Sequence, residues 1–150
     1  MGLLDKVFNT QTQNGEGDTL NAAESFAAIA LAAVASDGYL SDEEAQSIPF
    51  ILSRMKLFQT YSDDMMRKLF DKLLGKLKRE GVSALFHAAK DSLPESLRHT
   101  AFAVATDLVL ADGIVTDEEK AFLDELYRAL EVSEELANKI IDVMLIKNHG

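Results

Sequence analysis

The sequence contains no cysteine. This excludes a disulfide framework, a thiolate metal site and a thiol that could reduce a substrate. No apolar run reaches the roughly 18 residues that a membrane-spanning helix needs, and the first residues lack the basic, apolar and small-residue regions of a signal peptide. We therefore expect a soluble, cytoplasmic protein.

Basic residues are the minority, with 15 Lys and Arg against 25 Asp and Glu and a formal net charge of −10. This balance disfavours nucleic acid as the main partner and favours cations or basic surfaces. The three histidines, His87, His99 and His149, fit no ligand spacing, and no Gly-rich phosphate loop is present. An enzyme would have to rest on paired carboxylates, which at helix starts are far more often caps. We expect no catalytic residue and no enzymatic activity.

Residues 19–150 show helical periodicity, and no alternating polar and apolar run flanked by turn signals predicts a strand. Two Ala-rich stretches, "FAAIALAAVA" and "LRHTAFAVATDLVLA", are apolar enough to be central helices. Helix caps are predicted at Ser41, Ser62, Thr116 and Ser133, with a break at Gly81 and a helix start at Pro94. These signals predict one all-α domain, a bundle of six or seven helices with an internal pseudo-repeat.

Two local features complete this organisation. Pro49 is expected either to bend the helix that follows Ser41 or to mark a displaced start of that helix. Residues 1–18, "MGLLDKVFNTQTQNGEGD", divide into a short apolar clasp and a polar stretch without hydrophobic period, which predicts a flexible linker. The clasp consists of Leu3, Leu4, Val7 and Phe8.

An acidic corner occurs twice. We call "VASDGYLSDEE", residues 34–44, the first corner and "VLADGIVTDEE", residues 109–119, the second corner. In each, a glycine suited to ending a helix is followed by Ser or Thr and, three positions later, by Glu, which is a capping box. Capping and the favourable end of the helix dipole together explain the glutamates at the helix starts, which are Glu43, Glu44, Glu118 and Glu119.

Capping explains Asp37 and Asp112 less well. Each is predicted in the last turn of its helix, where the helix dipole disfavours a carboxylate. Either the aspartate caps the following helix, or a cation is shared by the aspartate, the glutamate seven residues later and nearby carbonyl oxygens.

The corners match only the second half of an EF-hand loop. The earlier ligand positions are apolar in both copies, which argues against an EF-hand; these positions are Ala33, Ala35, Leu108 and Leu110. If the two corners meet across a pseudo-two-fold axis, they offer four carboxylates suited to Ca²⁺, Mg²⁺ or Mn²⁺. The candidate ligands are Asp37, Glu44, Asp112 and Glu119.

An Ala-rich helix ending in "ASDG" or "LADG", followed by "LSDEE" or "VTDEE" and used twice behind an "MGLLDKVF" start, resembles the tellurite-resistance TerB family. The resemblance covers nearly the whole chain, although residues 56–93 carry no family motif. It implies an all-helical bundle with a pseudo-repeat, an association with resistance to tellurite and other stresses, and a metal site at the acidic corners. Residue by residue, that site maps onto Asp37, Glu44, Asp112 and Glu119.

Tellurite is an oxyanion, and an acidic chain without cysteine is poorly equipped to bind or reduce it. We therefore expect an accessory module that docks to other proteins of a stress-response assembly, peripherally at the inner face of the membrane. The alternative is a protein–protein interaction domain whose corners only cap helices.

A cluster of six of the fifteen basic residues lies within residues 67–79. It predicts either a docking face for an acidic partner or anionic lipid, or simply a solvated helix face. The cluster consists of Arg67, Lys68, Lys72, Lys76, Lys78 and Arg79.

Overall fold

A computed structural model describes residues 20–36, 40–111 and 113–149. These residues form seven α-helices and no strand, which confirms the predicted all-α bundle. In chain order the helices are α1 (Ala22–Val34), α2 (Asp42–Ser53), α3 (Asp63–Glu80), α4 (Val82–Ser92), α5 (Arg98–Leu110), α6 (Asp117–Ala129) and α7 (Glu134–Lys147). The predicted clasp and linker at residues 1–18 lie outside the described residues.

Helix α1 is the centre of the bundle. Every residue from Ser25 to Val34 is buried, and the small alanine side chains let neighbouring helices approach closely. It packs most extensively against α4 and α5. The helix starts at a capping box, in which the Glu24 N–H donates to Asn21 Oδ1 (2.8 Å) and the Asn21 N–H donates to Glu24 Oε1 (3.0 Å). This cap was not among those predicted from the sequence.

Helix α5 is the counterpart of α1 in the pseudo-repeat, and both have 13 residues. Its buried positions, including Phe102, Ala105 and Val109, alternate with partly exposed ones such as Ala103 and Asp107. The pairs α1–α2 and α5–α6 are thus two versions of one unit, in which a central helix leads through an acidic corner into a capped helix.

Helix α2 begins at Asp42 and continues through Pro49, so the prediction of a displaced start at this proline is wrong. A proline in the second half of a short helix removes only one main-chain hydrogen bond, and burial of Ile48 and Leu52 helps to offset that loss. The side chains after the proline are poorly covered, because Phe50 is 67% and Ile51 40% exposed.

Helix α3 begins at the predicted cap, where the Met65 N–H donates to Ser62 Oγ (3.1 Å), and ends at Gly81, whose φ of +93° favours glycine. Met66, Leu69 and Leu73 form its buried stripe. None of the helices in the described part of the chain combines the length and apolarity needed to cross a bilayer.

Two short 3₁₀ turns link the larger elements, Lys56–Phe58 before α3 and Glu95–Leu97 before α5. Pro94 lies just before the second turn, and α5 begins only at Arg98, so the prediction of Pro94 as the first helical position is wrong. The fixed φ of proline suits the extended residue that leads into the turn equally well. Ser133 caps α7 as predicted, through the Leu136 N–H (3.1 Å).

Candidate acidic corner site

Both corners end in complete capping boxes of nearly identical geometry. The Glu44 N–H donates to Ser41 Oγ at 3.0 Å, and the Ser41 N–H donates to Glu44 Oε1 at 3.0 Å. The corresponding bonds of Thr116 and Glu119 measure 3.0 Å and 3.0 Å. These bonds satisfy backbone donors that would otherwise be free at the start of α2 and α6.

Burial distinguishes the two glutamates. Glu119 is only 9% exposed, whereas Glu44 is half-buried. Ser41 uses only Oε1 of Glu44, through its N–H and also through its hydroxyl at 3.2 Å, and no hydrogen bond from a described residue reaches Oε2. One oxygen of Glu44 therefore remains available as a ligand while the other holds the cap.

The two corners contribute to common clefts in a crossed arrangement. A cleft of about 150 Å³ is lined by Glu44 at the start of α2 and by Ala111, which follows the end of α5. A second cleft, of about 320 Å³, is lined by Ser36, which follows the end of α1, and by Glu118 at the start of α6. The end of each central helix therefore lies near the start of the capped helix from the other half, as a pseudo-two-fold axis requires.

Asp37 and Asp112, two of the four predicted ligands, lie outside the described residues. Their sequence neighbours Ser36 and Ala111 each line a cleft that also contains a carboxylate from the opposite corner. Neither cleft is lined by both Glu44 and Glu119. Within the described ranges, no three His, Asp or Glu side chains come together as a metal-binding group.

The chemistry of the clefts fits a hard cation better than an anion or a soft metal. Their charged lining groups are carboxylates, namely Glu44 in the smaller cleft and Glu118 with Glu125 in the larger. Carboxylate oxygens suit Ca²⁺, Mg²⁺ and Mn²⁺. From the sequence, Glu118 was explained by the helix dipole, and the cleft that it lines together with Ser36 depends on tertiary packing.

The basic cluster on α3 is largely paired with acids. Lys72 Nζ lies 2.9 Å from Glu24 Oε2, and Arg67 and Lys68 lie 3.5 and 3.6 Å from Asp64. Lys76 is only 4% exposed and contacts Glu80 at 3.0 Å, so it cannot be part of a docking face. This geometry favours the solvated-face interpretation for the remaining residues.

A sequence model of the family described as "Tellurite resistance protein TerB" matches residues 23–141, which span both corners and five of the seven helices in full. The chain belongs to the TerB family. Membership associates it with tellurite resistance and agrees with the helical fold. No curated protein and no solved structure matches the chain significantly.

Proposed function

We propose that this TerB-family chain is a non-enzymatic accessory module of a stress-response assembly that binds a divalent cation at its acidic corners. The ligands are Asp37, Glu44, Asp112 and Glu119, and the cation is Ca²⁺, Mg²⁺ or Mn²⁺. The observation that supports this proposal most is the crossed arrangement, in which each cleft combines residues of both corners.

Electrostatics supports a cation at this place. Each corner carries four carboxylates within eight residues, in a chain whose net charge is already −10. The helix starts at Asp42 and Asp117 offset part of this charge through their dipoles, but their effect is confined to the first turn. A bound divalent cation would reduce the remaining repulsion between the two corners, and so would stabilise the folded state.

The same charge argues against tellurite as a ligand, because an oxyanion would be repelled by the carboxylates that line both clefts. The association of this protein with tellurite resistance is therefore better explained by docking to other proteins, peripherally at the inner face of the membrane. In this role the bound cation holds the two halves of the bundle in the geometry that a partner recognises.

Direct binding of Mn²⁺ to metal-stripped protein, followed by electron paramagnetic resonance of the free ion, tests the proposal. The wild type should bind Mn²⁺, and the variant with Asp37→Asn and Asp112→Asn should bind at least about 10-fold more weakly, because two charged ligands are lost. The matched control is Asp42→Asn with Asp117→Asn, which removes the same charge from the same corners outside the proposed ligand set. Equal weakening in both variants would show that only diffuse charge attracts the ion.

The second candidate function is a helical interaction domain whose corners only cap helices. It is favoured by the complete capping boxes, which explain Ser41, Glu44, Thr116 and Glu119 without any ion. This function predicts that neither the wild type nor either variant binds Mn²⁺ measurably, while all of them remain folded by circular dichroism.

A further inference from the structure

An apolar cleft of about 390 Å³ lies beside the second corner and is distinct from the two acidic clefts. Its walls come from both sides of the corner, from α6 and from α7, and they consist of Leu110, Val115, Leu123, Ile141 and Leu145. Lys120 and Asp124 add one charge of each sign to the lining. This cleft has the composition of a groove that accepts an amphipathic helix.

Some apolar side chains in the cleft wall and next to it in sequence are exposed to solvent. Leu145 in its wall is 52% exposed, and Ile114 in the corner is 70% exposed. On α7, Ile146, the residue after Leu145, is 76% exposed. Grouped exposure of large apolar side chains marks a surface that normally has a partner.

We propose that the clasp of the same chain, Leu3, Leu4, Val7 and Phe8, occupies this cleft. Residues at positions i, i+1, i+4 and i+5 lie on one face of a helix, so two helical turns would present all four side chains together. The family match begins at residue 23, so the clasp lies outside the matched region, whereas most of the cleft lies within it.

The connection is long enough. Residues 9–19 join the clasp to Leu20 and can span roughly 36 to 40 Å when extended. The C-terminal ends of α1 and α5 lie near each other, because Val34, Leu108 and Ala111 line one cleft. The apolar cleft at Leu110 is therefore about one length of α1 from Leu20, which is roughly 20 Å for 13 residues.

The charges of the two surfaces are compatible. Asp5 and Lys6 interrupt the clasp, and the exposed residues Lys120 and Asp124 give the cleft lining one charge of each sign. A tethered segment is present at millimolar effective concentration, which favours the chain's own clasp over that of a second copy at ordinary protein concentration. The cleft is thus covered from within the chain.

Disulfide trapping in the full chain tests this inference, and the absence of native cysteine makes the test clean. Val7→Cys combined with Leu145→Cys should form an intramolecular disulfide at least about 10-fold faster than Val7→Cys combined with Phe50→Cys. Phe50 is a matched control because it is also an exposed apolar side chain on a helix, at 67%. Mass spectrometry of tryptic peptides identifies the linked pair.

Equal rates for the two pairs would overturn the proposal, and so would disulfides that link two chains, since these would show that a second copy fills the cleft. A second variant checks the packing: Phe8→Asp should slow trapping at Leu145→Cys by about 10-fold, whereas Asn9→Asp should leave it unchanged. Equal trapping with Phe8→Asp would also overturn the proposal. All of these rates are measured in metal-free buffer, so failure of the cation site would not alter them.

Discussion

The two halves of the pseudo-repeat have the same sequence pattern but differ in burial. In the first half, α1 is enclosed on every face while Glu44 of its corner is half-exposed. In the second half, α5 is covered only in part while Glu119 of its corner is buried. The first half therefore contains the fully enclosed helix and an accessible carboxylate, Glu44. The second half contains a partly exposed helix and a buried carboxylate, Glu119.

This difference shows that a repeated motif need not have a repeated role. The capping hydrogen bonds are the same in both corners, since they depend only on residues three positions apart. Burial depends on the helices packed around each corner. Glu44 is therefore the better candidate for contact with a solvent-derived ion, and Glu119 is expected to contribute more to folding stability.

The largest difference in the free energy of unfolding is expected when the same substitution is made at equivalent positions of the two central helices, α1 and α5. Ala28 is 0% exposed, whereas Ala103, its counterpart in α5, is only partly buried. Ala28→Leu should lower the free energy of unfolding by about 1 to 3 kcal/mol because it overpacks a closed core. Ala103→Leu should change it by less than about 0.5 kcal/mol. Urea denaturation measures both, and equal losses would mean that α5 is as enclosed as α1.

A smaller difference in stability is expected when Glu44 and Glu119, the glutamates of the two capping boxes, are each replaced. Glu119→Ala should destabilise the fold by about 2 kcal/mol, because it removes a buried side chain and leaves the part-buried Thr116 N–H without its acceptor. Glu44→Ala should cost about 1 kcal/mol or less, because water can replace the lost acceptor at Ser41. Both variants are compared by urea denaturation in metal-free buffer. If Glu44→Ala is the more damaging, the assignment of roles to the two corners is reversed.

The smallest difference in stability is expected when the two capping hydroxyl groups are each removed. Ser41→Ala and Thr116→Ala each remove one side-chain acceptor at 3.0 Å, and each should cost about 1 kcal/mol. The two losses, measured in the same denaturation experiment, should agree within about 0.5 kcal/mol. A much larger cost at Thr116 would indicate that burial influences the cap itself as well as the glutamate.

Local signals predicted most of the fold. Ser41, Ser62, Thr116 and Ser133 all cap helices, because a hydroxyl cap depends only on residues within one turn. The same signals did not predict the asparagine cap of α1, and of the two effects expected of Pro49 the displaced helix start is wrong. Whether the two corners meet stayed a condition of the predicted cation site, because it depends on tertiary packing, and the clefts that combine residues of both corners support it.

Burial was the part that the sequence could not predict. Lys76 was expected to belong to a basic surface and is buried, whereas the apolar side chain of Met65 at the start of α3 is 47% exposed. Both outcomes are decided by which helices pack against α3, and that choice is not encoded in the periodicity of α3 itself. The difference between Glu44 and Glu119 has the same origin.

A thermal melt of metal-stripped protein, with and without millimolar Ca²⁺, Mg²⁺ or Mn²⁺, tests the central claim most directly. At 100 times its dissociation constant, a cation at the corners should stabilise the wild type by about 2.7 kcal/mol, which raises Tm by roughly 5 to 10 °C. The variant with Asp37→Ala and Asp112→Ala should show no such rise. If no cation raises Tm of the wild type, or if the variant responds equally, the corners are helix caps and not a cation site.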